Sequence, residues 1–278
     1  MINIVTALAC EANPIIQHFH LRKSAHTHGF PVYRNEAMTL IISGMGKFAA
    51  ASAVGYLQAL SNPVTREPLS RPMSQCWLNV GIAGHRTLEL GTAILAHRVS
   101  DAAALQRFYP CFTFDLPCLT AEVISVEQAE TTYPIDAAYD MEAVGFCAAA
   151  SRFSSFELIH SLKVISDNQA TSHKHITKHV GEDLVGNQLL LINSLLHEFE
   201  KLQQTSMAMV VPPEDFYSLT ERFRFTVTQQ NQLKRLLQRW STLEHTGVAK
   251  KLPLQDFNNA KQVLQALESH LQSKVFVC

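Results

Sequence analysis

The sequence lacks the features that mark several large classes of protein. Only 17% of its 278 residues are charged and the formal net charge is -1, so we expect neither nucleic acid nor a membrane as a partner. No apolar run approaches the length needed to cross a bilayer. The N-terminal residues show no basic lead and no cleavage site of a signal peptide. These absences favour a cytoplasmic protein.

Paired cysteines are absent as well. The six cysteines are scattered along the chain, and no two of them form a C-x-x-C pair. This spacing argues against a disulfide framework and against a zinc site, and it indicates free thiols in a reducing compartment. Hydrophobic residues make up 47% of the chain, which is typical of a compact globular protein.

Strand-like and helix-like segments alternate along the first 202 residues, which predicts an α/β fold. Apolar runs predict strands at residues 2–9, 30–34, 38–43, 76–80, 92–99, 121–126 and 158–165. Helices are expected at 14–20, 47–60, 141–153 and 183–202, with a proline-rich polar loop at 63–72. Pro212-Pro213 then interrupts the chain, and helices are expected at 216–240 and 256–274. We therefore divide the protein into a domain of residues 1–202 and a helical C-terminal extension, 203–278.

Two short acidic motifs carry most of the chemistry. Asp140-Met141-Glu142-Ala143 opens an alanine-rich helix, and Ser166-Asp167 closes a buried strand. Carboxylates at such positions gather in the crevice of an open α/β sheet, where two acids can divide the binding and proton-transfer tasks. Glycine turns at 44–46 and 81–84, together with Glu11 after the first strand, predict backbone and acid groups at the same edge. That convergence is typical of a small-ligand crevice.

Two other motifs have a simpler interpretation. Residues 44–49 match the dinucleotide fingerprint G-x-G-x-x-A, but no strand precedes the acid at Glu67, where a Rossmann unit needs one. A glycine turn that joins strand to helix, or that borders a ligand, is favoured. His173, His175 and His179 are close in sequence, yet only the last two share a helix face. A solvated helix that partly covers the site is favoured over a metal centre.

Five segments occur in the order and spacing of one known superfamily. They are Ile4–Glu11, Ser43–Lys47, Asn79–Gly84, Asp140–Ala143 and Ile165–Asp167. Over about residues 1–202 the chain resembles the nucleoside phosphorylase/nucleosidase superfamily, and within it most resembles the methylthioadenosine/S-adenosylhomocysteine nucleosidases. The resemblance implies a three-layer α/β/α fold around a mixed, partly curled sheet. It also implies a nucleoside substrate, no metal or cofactor, and a homodimer.

The resemblance further implies a role for individual residues. Glu142 is expected to hydrogen-bond the ribose hydroxyls, with Met141 packed against the sugar. Asp167 is expected to hydrogen-bond and protonate the purine at N7, and Glu11 to position the attacking water. Such a division suits an oxocarbenium-like transition state, which leaving-group protonation stabilises. The remaining expected substrate contacts are Gly44, Ile82, Ala83, Gly84 and Ser166.

Several features leave the reaction open. Phosphorylases of this superfamily carry a phosphate-binding arginine before the second glycine turn, and residues 75–79 contain none, while Arg86 lies beyond the turn. This favours hydrolysis over phosphorolysis. Residues 120–125 also lack the aromatic side chain that stacks on the base in the nucleosidases. A non-catalytic nucleoside-binding protein is therefore a third possibility.

Overall fold

The computed structural model describes residues 2–25, 27–61, 75–210, 214–245 and 257–275. The predicted polar loop at 63–72 and the break at Pro212-Pro213 lie outside the described residues. The chain divides into two compact units, Met1–Gln204 and Thr205–Cys278. No described helix combines the length and the apolar character that a membrane span requires.

A mixed sheet forms the centre of the first unit. Its strands are β1 (Ile2–Thr6), β2 (Arg22–Lys23), β3 (Val32–Arg34), β4 (Met38–Ile42), β5 (Cys76–His85), β6 (Ala93–Asp101), β7 (Arg107–Phe108), β8 (Leu119–Ser125), β9 (Ala138–Asp140) and β10 (Ile159–Asn168). The central strand β1 pairs in parallel with β4 on one side and with β5 on the other. Strands β1 and β10 are buried along nearly their whole length, and β10 carries several buried polar side chains among its apolar ones.

One end of the sheet curls and closes on itself. Strand β10 pairs in parallel with β5 and antiparallel with β6, and the path continues from β6 through β8 and β9 back to β5. The short strand β9 meets β5 at Gly84 and His85. This closure brings the carboxyl ends of β5 and β10 next to β9, and it matches the partly curled, mixed sheet predicted from the sequence.

Helices cover both faces of the sheet. They are α1 (Ala9–His18), α2 (Lys47–Ser61), α3 (Ala143–Ala150), α4 (Lys178–Gly186) and α5 (Leu189–Val210). On β1, Val5 packs into an apolar core with α2 and α3, whereas its neighbour Ile4 packs with α1, α4 and α5 on the opposite face. This alternation of side chains along a strand produces the predicted three layers.

The second unit is helical. It contains α6 (Glu214–Arg222), α7 (Val227–His245) and α8 (Ala260–Val275), which share a separate apolar core around Leu233, Leu237 and Leu267. Helical structure was expected over 216–240, and the structure interrupts it between Arg222 and Val227. Thr226 Oγ1 accepts a hydrogen bond from the backbone N–H of Gln229, and the Gln229 side chain accepts one from the N–H of Thr226. This capping box starts a new helix at Val227.

Two predicted boundaries near the acidic groups are wrong. The first strand ends at Thr6 and α1 begins at Ala9, well before Pro14, because the Glu11 carboxylate accepts the N–H groups of Ala7 and Leu8. The segment from Gly81 to Gly84 is not a turn. Strand β5 continues through it to His85, since β10 and β9 both supply backbone partners there.

The contact between α2 and α3 gives a test of this packing. A Cβ added to Gly145 in α3 would lie 1.9 Å from the backbone oxygen of Lys47, whereas one added to Gly55 in α2 would meet no atom within 4 Å. We expect Gly145→Ala to lower the free energy of unfolding by about 1–3 kcal/mol through overpacking. Gly55→Ala should instead raise it by about 0.5–1 kcal/mol. Urea denaturation measures both, and equal stability of the two variants would contradict the packing described.

Candidate active site

A cavity of about 250 Å³ opens where β1, β5 and β10 end. All the predicted site residues except Gly44 line it, namely Glu11, Ile82, Ala83, Gly84, Met141, Glu142, Ser166 and Asp167. Gly44 instead adopts a left-handed φ of 83° and donates its N–H to the Ala7 carbonyl, so it shapes the turn behind Met45. The lining also includes Asp140 of the first acidic motif, and residues without a predicted role, namely Ala7, Leu8, Met45, Val126, Ala129, Glu130, Tyr139 and Ile176.

Glu11 lies at the start of α1 with its carboxylate turned into the protein. Oε2 accepts the N–H groups of Ala7 and Leu8 at 2.8 Å each, and Oε1 accepts that of Ile82 at 3.1 Å. Burial raises the pKa of Glu11, while Lys163 and these N–H groups oppose the shift. The carboxylate thus joins the end of β1 to β5 and borders the cavity. Gly81 lies close beside it, and a Cβ there would be in tight contact, 3.1 Å from Glu11 Oε1.

Beneath the cavity lies a buried ion pair between Lys163 in β10 and Asp140 at the end of β9. Lys163 Nζ is 2.7 Å from Asp140 Oδ2, and the lysine is only 1% exposed. Asp140 also accepts hydrogen bonds from Ser125 Oγ at 2.6 Å and from the N–H of Ala143 at 2.8 Å. Burial disfavours the charged lysine, but Asp140, Glu142 and Glu11 outweigh that effect and raise its pKa. Lys163 is therefore a cation shared by three buried acids.

Glu142 occupies the N-cap position of α3 and extends toward α2. Its Oε1 accepts the N–H of Gly46 at 2.7 Å. Burial and the nearby Asp140 carboxylate raise the pKa of Glu142 to about 7. The residue can therefore be protonated or ionised near neutrality, which suits a group that binds hydroxyls as acceptor or donor. Because Glu142 occupies the Gly46 amide, a phosphate group at this glycine turn would meet a carboxylate, which argues against a dinucleotide there.

Asp167 ends the opposite wall of the cavity. Ser166 Oγ donates to Asp167 Oδ1 at 2.6 Å, and the Tyr133 hydroxyl donates to Oδ2. A Cβ on Gly84 would lie 2.7 Å from Asp167 Oδ2, so glycine is needed where this acid approaches β5. Both carboxylate oxygens have a donor, and Asp167 still borders the cavity.

Two central residues, Lys163 and Tyr133, were missed in the sequence. Lys163 carried a usable signal, since a lysine between Leu162 and Val164 in a buried strand is rarely accommodated without a charged partner. Tyr133 carried none. It lies in the irregular segment between β8 and β9, and its contact with Asp167 joins residues 34 positions apart.

The charged side chains described around the cavity are all of one sign. Among the described residues that line it, every charged side chain is an acid, namely Glu11, Glu130, Asp140, Glu142 and Asp167. Arg86, considered above as an anion ligand, instead lies outside the lining, and its guanidinium donates to the Pro134 carbonyl at 3.4 Å. The histidines at 173–179 fall on separate elements, a short 3₁₀ turn and α4. No cluster of His, Cys, Asp and Glu suited to a metal ion occurs within the described parts of the chain.

Comparison with known proteins identifies the fold. No protein-family model and no curated protein sequence matches the chain. Among solved structures, a 5′-methylthioadenosine/S-adenosylhomocysteine nucleosidase from Colwellia psychrerythraea 34H, in complex with adenine, aligns with a TM-score of 0.54 at 16% identity, over 72% of this chain and 95% of its own. The nucleosidase from Campylobacter jejuni aligns with a TM-score of 0.54 at 12% identity, over 72% of this chain and 98% of its own.

A futalosine hydrolase mutant from Helicobacter pylori strain 26695 has the same fold. It aligns with a TM-score of 0.50 at 15% identity and covers 71% of this chain and 98% of its own. The chain thus has the nucleoside phosphorylase/nucleosidase fold, as its sequence resemblance implies.

The buried ion pair predicts a large cost for removing its cation. Lys163→Met would leave Asp140, with Glu142 and Glu11 close by, without a counter-charge, so we expect the free energy of unfolding to fall by about 3–5 kcal/mol. The matched control is Lys178→Met, which removes an exposed lysine 3.8 Å from Glu182 and should cost less than about 1 kcal/mol. Urea denaturation measures both variants. Similar losses would show that Lys163 does not balance the buried acids.

The raised pKa of Glu142 predicts a pH dependence of stability. Between its ordinary value of 4.5 and about 7, the folded protein holds this proton more tightly than the unfolded chain. The free energy of unfolding should therefore fall as the pH rises through this range. Glu142→Gln should reduce the slope between pH 5 and pH 8, with a residual slope of the same sign from Glu11, whose pKa is also raised. Identical slopes in wild type and variant would refute the assignment.

Proposed function

We propose that the first unit hydrolyses the N-glycosidic bond of a purine nucleoside or a 5′-modified adenosine. The observation that carries this proposal is the meeting of Glu11, Glu142 and Asp167, from three separate elements, around one cavity with no cationic side chain among its described lining residues. Glycosidic cleavage builds positive charge on the ribose, and carboxylates placed around the ring stabilise that charge. We assign the activity to residues 1–202, because all the described lining residues fall between Ala7 and Ile176.

At the sugar end, Glu142 is proposed to bind the ribose hydroxyls, and Met141 to pack against the ring. Glu142 is held by the Gly46 N–H through one oxygen, which leaves the other for substrate. Hydrogen bonds from ribose hydroxyls to a carboxylate strengthen as the ring becomes oxocarbenium-like. The solved relatives named above include two nucleosidases of 5′-methylthioadenosine and a futalosine hydrolase, and this supports a nucleoside at the same edge of the fold.

At the leaving-group end, Asp167 is proposed to take up a proton from water, hydrogen-bond the base and pass that proton to N7 as the bond electrons move onto the base. It lies at the carboxyl end of β10, beside Gly84 of β5. A positioned carboxyl group in this role typically contributes roughly 10²–10⁴-fold to the rate. The Colwellia nucleosidase was solved with adenine, which is the leaving group that an adenosine derivative would release.

At the remaining side, Glu11 is proposed to position the attacking water. Its two oxygens are oriented by three backbone N–H groups, so the carboxylate is fixed without a mobile partner. Water is favoured over phosphate as the nucleophile for an electrostatic reason. A phosphate ion would enter a cavity lined by carboxylates, and the buried Lys163 is already paired with Asp140.

One assay tests the reaction and its nucleophile. The purified full chain is incubated with a panel of purine nucleosides, with and without inorganic phosphate, and free base, ribose and ribose 1-phosphate are measured. We expect free base and ribose without phosphate, and a loss of about 10²–10⁴-fold in kcat for Asp167→Asn. The matched control is Asp183→Asn, at an exposed carboxylate in α4, which should retain the wild-type rate.

Either of two outcomes would rule out hydrolysis and identify a different function. Base release that requires phosphate would identify a phosphorylase. Binding of nucleosides without release of base would identify a non-catalytic nucleoside-binding protein.

A further inference from the structure

Tyr133 has an unusual environment for a tyrosine in an irregular segment. It is 2% exposed and has a φ of 45°, a left-handed conformation that side chains other than glycine seldom adopt. Its ring packs edge-to-face on Tyr139, with ring centres 5.7 Å apart. A strained backbone at a fully buried position must be held by its surroundings, and such residues concentrate at functional sites.

The segment that carries Tyr133 is tied down by polar contacts on both sides. The Glu130 carboxylate accepts the N–H groups of Thr131 and Thr132, and also the Thr132 hydroxyl. Further along, the Asp136 carboxylate accepts a hydrogen bond from Thr87 Oγ1 at 2.8 Å. These hydrogen bonds therefore hold the segment that places Tyr133 against the end of β5.

The hydroxyl of Tyr133 donates to Asp167 Oδ2, while Ser166 Oγ donates to Oδ1. Since the two donors come from different elements and bind different oxygens, they hold both the position and the plane of the carboxylate. Burial, Asp167 and Glu130 raise the pKa of Tyr133, so the phenol remains protonated and acts as a donor.

We propose that Tyr133 is a positioning residue for Asp167, and that its hydroxyl orients the carboxylate toward the leaving base. This inference rests on the proposed function, in which Asp167 contacts the base. Tyr133 itself is not among the residues that line the described cavity, and it acts from behind the acid. Its ring also fills the space over Gly84, where a Cβ would lie 2.7 Å from Tyr133 Cε1, so the aromatic ring and the hydroxyl have separable effects.

A double-mutant cycle separates positioning from a merely structural role. Tyr133→Phe, Asp167→Asn and the double variant are compared on a purine nucleoside and on 4-nitrophenyl β-D-riboside, whose leaving group needs no protonation. On the purine nucleoside, Tyr133→Phe should lower kcat about tenfold to hundredfold. On the nitrophenyl riboside it should lower kcat less than about threefold. In the Asp167→Asn background, Tyr133→Phe should cause almost no further loss.

The matched control is Tyr56→Phe. Tyr56 also packs on an aromatic ring, that of Phe30, and its hydroxyl accepts the N–H of His28 at 3.0 Å. It lies in α2 outside the cavity lining, so its loss should not change the ratio of the two substrates' rates. Equal losses on both substrates for Tyr133→Phe, or additive losses in the cycle, would overturn the inference.

Adenine binding, measured by titration calorimetry, tests the same coupling without turnover. Tyr133→Phe should weaken adenine binding about tenfold in the wild-type background and not in the Asp167→Asn background. If no nucleoside is hydrolysed but this coupling is found, the proposed hydrolysis fails and the positioning role stands. If hydrolysis is found and adenine binding shows no coupling, the proposed function stands and the role of Tyr133 is refuted.

Discussion

The arrangement of acids around the cavity depends on the buried ion pair between Lys163 and Asp140. A lone lysine in a strand that is buried on both faces would be expelled or neutral, and a lone cluster of carboxylates would repel. Together the lysine and the carboxylates balance each other's charge. Asp140 also accepts hydrogen bonds from Ser125 Oγ and from the N–H of Ala143 in the first turn of α3. The ion pair thus joins β10 and β9 through Lys163 and Asp140, and Asp140 extends it to β8 and the start of α3. The charge of Lys163 also favours the burial of Glu11 and Glu142 close by.

The curl of the sheet makes this meeting possible. Strand β10 pairs with both β5 and β6, and its carboxyl end and β9 both pair with Gly84 and His85 at the end of β5. This close approach of side chains to β5 favours glycine at two places. Gly81 leaves room for Glu11 and for Lys163 Nζ, 3.3 Å from an added Cβ, and Gly84 leaves room for Asp167 and Tyr133. These glycines matter for the space they leave beside charged groups, and the chain continues through both as regular strand.

The cavity has distinct ends with distinct chemistry. Glu142, with its pKa raised to about 7, faces the side of α2 and α3, whereas Asp167 is held by neutral hydroxyl donors on the side of the β8–β9 connection. Glu11 is bound to backbone N–H groups at the third side. Because each acid has different partners, the three carboxylates offer different binding groups within one small space. This difference underlies the proposed division of work between sugar, base and water.

The local sequence was sufficient for much of the fold and for placing the three acids at strand and helix ends, whereas their roles stay predictions. The alternation of strand-like and helix-like segments predicted the α/β class. The resemblance of five motifs to one superfamily implied its fold, and these motifs include Glu11, Glu142 and Asp167. Those features are local, since periodicity and motif spacing are written along the chain. Tertiary structure alone decided that β5 continues through Gly84, that Lys163 lies beneath the acids and that Tyr133 reaches Asp167. Each of these features depends on contacts between residues distant in sequence, which form only when the sheet has closed. A local sequence pattern does not encode a contact whose partner comes from another strand or loop.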